Sequence, residues 1–158
     1  MGTTEAVAAD IAKQLGVADA DVHNVADTPA GEVQKYDLLV LGSSTWGAGE
    51  LQDDWYGFLD QLKAQDLSGK KVALFGLGDQ ASYSDAFVDA LGELYDIISE
   101  TGASVVGFWP NEGYEFNSSN ALDGDDFVGL VIDQDNQSSL TPERVKSWVS
   151  ALKSEFAL

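Results

Sequence analysis

Leu38-Leu39-Val40-Leu41-Gly42-Ser43-Ser44-Thr45-Trp46-Gly47-Ala48-Gly49-Glu50 opens as an unbroken apolar run. It closes as a loop of hydroxyl residues and glycines around one tryptophan. An apolar run without alternation marks a strand buried on both faces, as in a parallel sheet covered by helices. Val72-Ala73-Leu74-Phe75-Gly76 repeats the pattern, and Val105-Val106-Gly107-Phe108 and the stretch from Phe127 to Ile132 repeat it again. Helical spacing separates the runs: Leu51, Trp55, Phe58 and Leu62, then Phe87, Leu91, Leu94 and Ile98. Val7, Ile11 and Leu15 place a helix near the start, and Val145, Trp148, Val149 and Leu152 place one near the end. Thr141-Pro142-Glu143 predicts the start of that last helix, with an N-cap hydroxyl, proline in the first turn and an acid beside it. Asp21 to Val25 is a weaker strand candidate.

Strands alternating with helices predict one α/β domain over 1–158, a three-layer doubly wound parallel sheet. Ligands of such sheets bind outside the carboxyl ends of the strands. The loops after Gly42, Gly76 and Ile132 are therefore the candidate site.

Composition narrows the chemistry. Of 158 residues, 8 are Lys or Arg and 27 are Asp or Glu, a net charge of −19. Such a charge repels phosphate backbones and anionic lipid, which argues against nucleic-acid and membrane partners and favours basic protein partners. Adaptation to high salt produces the same bias. There is no cysteine, which excludes disulfides, thiolate catalysis and cysteine-held metals. His23 is the lone histidine, so no site needing two imidazoles is available; it reads as structural. No apolar run approaches membrane-spanning length, and a cytoplasmic setting is expected.

In the first loop, Ser43, Ser44 and Thr45 offer hydroxyls, and Gly47 and Gly49 allow close backbone approach around Trp46. In the second, Gly76, Leu77, Gly78, Asp79, Gln80, Ala81, Ser82, Tyr83, Ser84 and Asp85 combine a carboxylate, free backbone groups and a ring. Gly76, Gly78 and Ala81 formally match a dinucleotide fingerprint, but the match lies mid-chain and lacks a convincing acidic residue downstream. Two rings ending loops after neighbouring strands suit a flat heteroaromatic ligand, each stack adding roughly 0.5–1.5 kcal/mol beyond buried area. In the third loop, Asp133-Gln134-Asp135-Asn136-Gln137 resembles the start of a calcium loop, yet Ser138 stands where glycine is required. Asp135 meeting a ligand hydroxyl is the better reading. No Ser/His/Asp set is supported, because neither Ser43 nor Ser44 sits in a G-x-S-x-G frame. A signalling receiver domain would need a phospho-acceptor aspartate and a late lysine in places this sequence does not supply.

Ser43-Ser44-Thr45-Trp46-Gly47 resembles the first flavin loop of flavodoxins, and Gly78-Asp79-Gln80 followed by Tyr83 resembles the second. Phe127-Val128-Gly129-Leu130 and Asp133-Gln134-Asp135-Asn136-Gln137, leading into Leu140-Thr141, resemble the closing segment of the long-chain branch. Trp109 to Asp126 resembles the insertion that splits that branch's last strand. The resemblance implies a doubly wound fold, non-covalent FMN, and single-electron shuttling at low potential between larger redox proteins, such as a flavin-dependent reductase and electron-accepting enzymes. It implies a monomer without substrate turnover; an FMN-dependent quinone reductase on the same fold is the alternative. It implies that Trp46 and Tyr83 sandwich the isoalloxazine, with Asp79 and nearby backbone at its pyrimidine edge and Thr45 and Asp135 near the ribityl chain. Ser43, Ser44, Gly47, Gly49, Leu77, Gly78 and Asp85 complete the two ring loops. Gly2, Thr3 and Thr4 correspond to the end of the phosphate loop, where helix N–H groups hold an anion without a basic side chain. Surrounding carboxylates disfavour the last negative charge of full reduction and lower the second potential. Glu50, Asp53, Asp54 and Asp85 would steer basic partners, with screening over about 8 Å at physiological salt.

The family pattern begins with an apolar strand and a Thr-x-Thr-Gly-x-Thr-type loop, whereas Met1-Gly2 here falls inside that loop. In the family that strand lies between those corresponding to Val22 and Val40. Such a strand buries about four large side chains, each worth roughly 1.5–3 kcal/mol, a total that rivals a domain's whole stability. These 158 residues alone are therefore expected to fold poorly and to hold FMN phosphate weakly. Adding a strand-plus-loop peptide during refolding should tighten FMN binding in a titration, and equal affinity with and without it would refute the expectation. In the resembling family the Trp46-Gly47 peptide turns its carbonyl toward flavin N5, a flip that glycine tolerates. Gly47→Asn is expected to narrow the gap between the two reduction potentials, measured by redox titration.

Overall fold

The computed structural model describes residues 2–46 and 49–156. Its centre is a pair of parallel strands, β1 (Leu38–Trp46) and β3 (Lys71–Leu77), joined through the short β2 (Glu50–Leu51) and helix α2 (Asp54–Leu62). They pair in continuous register from Leu38↔Lys71 to Ser44↔Leu77. After β3 come α3 (Asp89–Ser99) and β4 (Ser104–Val106). The small strands β5 (Trp109–Pro110), β6 (Leu122–Asp123) and β7 (Asp126–Phe127) follow, and then β8 (Leu130–Ile132). Helix α1 (Thr3–Leu15) precedes the sheet, and α4 (Gln134–Gln137) and α5 (Thr141–Phe156) close the chain.

Alternation along β3 explains the layers. Val72 and Leu74 enter one core with α2 and α3, while Ala73, Phe75 and Leu77 enter the other with α1 and α5. The sheet is covered on both faces, as the doubly wound reading expects. Trp55 ties α2 to β1 by donating its indole N–H to the Gly42 carbonyl at 3.2 Å.

The last strand is divided. β4 pairs with Lys71–Ala73 of β3, and β8 pairs with Phe75–Leu77. Between them, residues 107–129 leave the sheet and build an antiparallel ribbon in the order β5-β7-β6. Gly107, at φ 79°, ends β4. The expected strand from Phe127 to Ile132 is divided, and Gly129 between its parts passes so close to β3 that a Cβ there would lie 2.1 Å from the Leu74 carbonyl oxygen. Phe127 thus pairs with Trp109 and Leu122 instead of with β3. Tyr114 anchors the excursion: its hydroxyl accepts from Trp109 Nε1 at 3.0 Å and donates to the Val131 carbonyl at 2.6 Å. Arg144 lies over the ring at 4.1 Å, and burial pushes the phenol up to about 12.

Other expectations need correction. Asp21 to Val25 is not a strand: Asp19–Asp21 is a 3-10 turn and Val22 is exposed. A strand needs a neighbour to pair with and a face to bury, and Val22 to Val25 has no ladder partner among the described residues. The edge of Leu38–Ser44 opposite β3 likewise carries no strand among the described residues. Leu51 sits fully buried in β2, ahead of α2. Phe87 precedes α3. Thr141 is already helical, because the 3-10 turn Ser138–Leu140 runs directly into α5, and its hydroxyl bonds to the Gln134 side chain instead of capping. His23 bonds Tyr36 at 3.0 Å, whose hydroxyl donates to Asp21 at 2.8 Å, in keeping with a structural role.

Gly42 faces Phe75 across the central pair, and a Cβ at Gly42 would lie 2.0 Å from the Phe75 ring. Gly42→Ala is expected to cost roughly 1–3 kcal/mol through overpacking. Combined with Phe75→Leu, the loss in urea unfolding should fall short of the sum of the single losses.

Candidate functional site

The register of β1 and β3 puts their following loops side by side, because Ser44 lies opposite Leu77. Paired strands run about 4.8 Å apart. Trp46 ends β1 and Tyr83 lies in the loop after β3. Their exposures are 48% and 47%, unlike the core tryptophans Trp55 and Trp148. Among the described residues neither ring stacks on another aromatic ring. Large rings left open at the carboxyl edge of a parallel sheet leave their faces free for a ligand.

The stretch expected as the first loop after Gly42 is strand as far as Trp46, because the ladder with β3 continues through Ser44 and β2 pairs with Thr45 and Trp46; it is held from beneath. Ser43 is buried, and its hydroxyl donates to the Ser44 carbonyl at 2.8 Å and accepts from Gln52 N–H at 3.4 Å, so it is engaged internally. Ser44 and Thr45 are half-buried. Thr45 Oγ1 is buried with no hydrogen-bond partner among the described residues. A hydroxyl stranded in this way costs about 1–3 kcal/mol, which a polar ligand group beside it would offset. Gly47 lies outside the described residues. Gly49, at φ 112°, packs against Asp89, whose Cβ would be 2.8 Å from a side chain there. Burial raises the Asp89 carboxyl above the usual range, and its Oδ1 accepts from Asn120 N–H at 2.7 Å.

In the second loop, Leu77 is buried and Gly78 is half-buried. The Gly78 N–H donates to the Ile132 carbonyl at 3.0 Å. Gly78 lies against Val88, the one non-glycine residue with positive φ among the described residues, at 48°. A β-branched residue held there stores about 1–3 kcal/mol of strain, which commonly marks a functional site. Asp79 turns inward: Oδ1 accepts from Ala81 and Ser82 N–H at 3.1 and 2.9 Å and from Asn136 Nδ2 at 2.8 Å. The Ser82 N–H, with Asn136, holds this carboxyl below its ordinary range. Its work is thus to shape the loop, which leaves backbone groups as the better candidates for a pyrimidine edge. Asp85 is exposed but tied to the ribbon, accepting from Asn117 Nδ2 at 2.8 Å.

In the third loop, Asp135 is exposed in α4, and Asp133 caps that turn by accepting from Asn136 N–H. Gly2 and Thr3 are exposed and Thr4 is half-buried where α1 opens. Gly2 is extended there, at φ −96° and ψ 169°, and no side chain among the described residues caps the helix, so its first-turn N–H groups can meet an anion. The uncapped helix start, the stranded Thr45 hydroxyl and the two open rings together fit FMN. No helix among the described residues is long and apolar enough to cross a membrane.

The family pattern described as Flavodoxin matches residues 1–148. The chain belongs to the flavodoxin family. It is 49% identical to a Synechococcus elongatus flavodoxin over 99% of this chain and 93% of that protein. It is 49% identical to Escherichia coli flavodoxin 1 over 99% of this chain and 90% of that one. The crystal structure of a Fusobacterium nucleatum flavodoxin bound to flavin mononucleotide superposes with a TM-score of 0.88 at 32% identity, covering 97% of this chain and 91% of that one. Sequence reasoning missed Gln80, Asp133 and Asn136 as a unit; the single local signal was Asp133 followed three positions on by Asn136, the spacing of an N-cap.

Proposed function

We propose that this flavodoxin-family chain is a one-electron carrier that holds FMN non-covalently between Trp46 and Tyr83. The observation that carries the reading is the pair of half-open rings, Trp46 at the end of β1 and Tyr83 in the loop after β3, whose strands pair directly. Bound there, the flavin supplies the redox chemistry, accepting and returning electrons one at a time. The chain's own residues bind, orient and tune. Free N–H groups of Gly2, Thr3 and Thr4 at the start of α1 hold the phosphate. Thr45 Oγ1, with Asp135 from α4, serves the ribityl hydroxyls. Backbone groups of 78–83 meet the pyrimidine edge. Trp46 and Tyr83 exclude water from the ring faces, which strengthens every nearby charge.

The charge of −19 disfavours further negative charge at the site and lowers the potential of the second electron. It also selects partners. Glu50 is exposed opposite Trp46, and Asp53 and Asp54 are exposed where α2 begins; these carboxylates draw basic surfaces toward that edge. The partners are basic redox proteins: a flavin-dependent reductase on the donating side and electron-accepting enzymes on the other. The carrier is a cytoplasmic monomer, with no substrate turnover of its own.

A visible absorption spectrum of the purified protein titrated with FMN tests the reading. A protein-perturbed flavin band is expected. Trp46→Ala and Tyr83→Ala should each raise the dissociation constant by roughly tenfold, about 1.4 kcal/mol. Unaltered affinity in both variants would remove the sandwich. Rapid NAD(P)H oxidation by the pure protein would favour a quinone reductase instead.

A further inference from the structure

Beneath the second loop lies a polar unit made of Gln80, Asp133 and Asn136. Asp133 has no exposed surface and Gln80 is buried. Asp133 Oδ2 accepts from the Gln80 backbone N–H at 3.0 Å and from Gln80 Nε2 at 2.8 Å. Its Oδ1 accepts from Asn136 N–H at 3.0 Å. Asn136 Nδ2 reaches back to Asp133 Oδ2 at 2.9 Å and forward to Asp79 Oδ1 at 2.8 Å. Gln80 Oε1 accepts from Glu115 N–H, so the unit also grips the ribbon. Asp133 forms no ion pair among the described residues.

A buried carboxylate served by N–H donors alone is costly to place, and a leucine there would fill the core more cheaply. What it gains is geometry. From Asp133 an unbroken series of hydrogen bonds runs through Gln80 and Asn136 to Asp79, then to Ala81 and Ser82. It ends at Tyr83, whose N–H donates to the Asp79 carbonyl at 3.0 Å. Among the described residues the exposed ring has no stacking neighbour, so its place follows from the backbone that this series fixes.

We propose that Asp133, acting through Gln80 and Asn136, is a positioning residue that sets the 78–83 loop and Tyr83 against the isoalloxazine and so tunes its potentials. The proposal rests on the reading that this loop holds the flavin. Charge develops on the ring during reduction, so displacing the backbone dipoles of this loop changes affinity for the redox states unequally. A loss of scaffold rigidity alone weakens all states alike and leaves the potentials where they were.

The test compares the unmodified chain with Gln80→Ala, Asp133→Asn and the double variant. FMN affinity by fluorescence quenching, both one-electron midpoint potentials and the urea midpoint of the apoprotein are measured. Gln80→Ala changes no charge, so an effect on potential reports position. It is expected to raise the dissociation constant about tenfold and to move at least one potential by about 59 mV, the equivalent of a tenfold difference between states. The double variant should be no worse than Asp133→Asn alone, because the two residues act as one unit. If Asp133→Asn does not fold, Gln80→Ala still decides, since it keeps Asp133 and its bonds to Asn136. Unchanged potentials with uniformly weaker binding, or strict additivity in the double variant, would overturn the proposal. Failure of the unmodified chain to bind FMN would overturn the site reading itself, and shows before any variant is made.

Discussion

The pairing of Leu38–Ser44 with Lys71–Leu77 is the constraint on which the other features depend. Side chains on a strand alternate between faces, so this single register decides which residues enter each core. It puts Val72 and Leu74 under α2 and α3, and Ala73 and Phe75 under α1 and α5. It sets Gly42 opposite Phe75, where no larger residue fits. It also ends both strands at one level, so Trp46 and the 78–83 loop emerge together. A slip of one residue would exchange the two cores and separate the rings.

Around that frame the molecule uses two kinds of support. The sheet and its helices are held by apolar burial, which tolerates small adjustments. The loops are held by directed hydrogen bonds and close backbone contacts, which do not. Asp133 organises the second loop, and Asp89 braces Gly49 of the first while bonding Asn120 of the ribbon. Both connect these loops to residues 107–129, so the excursion that divides the last strand also buttresses the carboxyl edge of the sheet. Val88 adds strain at the same place, pressed on Gly78 in a backbone conformation that valine seldom adopts.

Much of this could be read along the chain. The apolar runs at 38–42 and 72–76 identified the buried parallel strands, because only burial on both faces removes alternation. Trp46 and Tyr83 stood out as rings in loops without apolar periodicity. Asp79 was visible as a loop carboxylate, but its inward commitment to Ala81, Ser82 and Asn136 was not, since that depends on a residue 57 positions away. Asp21 to Val25 misled because strand propensity is realised only where a partner accepts the backbone hydrogen bonds.

What the sequence determined by itself is local: periodicity, turn chemistry, net charge, and the residue types offered at the strand ends. These follow from interactions within a few residues, or from composition alone. The tertiary structure decided which of those residues spend their polar atoms on the protein and which do not. Ser43, Asp79 and Asp85 are engaged internally, while among the described residues the buried Thr45 Oγ1 has no partner and the exposed rings of Trp46 and Tyr83 carry no stacked ring. That division depends on distances between segments far apart in the chain, and only packing settles those distances.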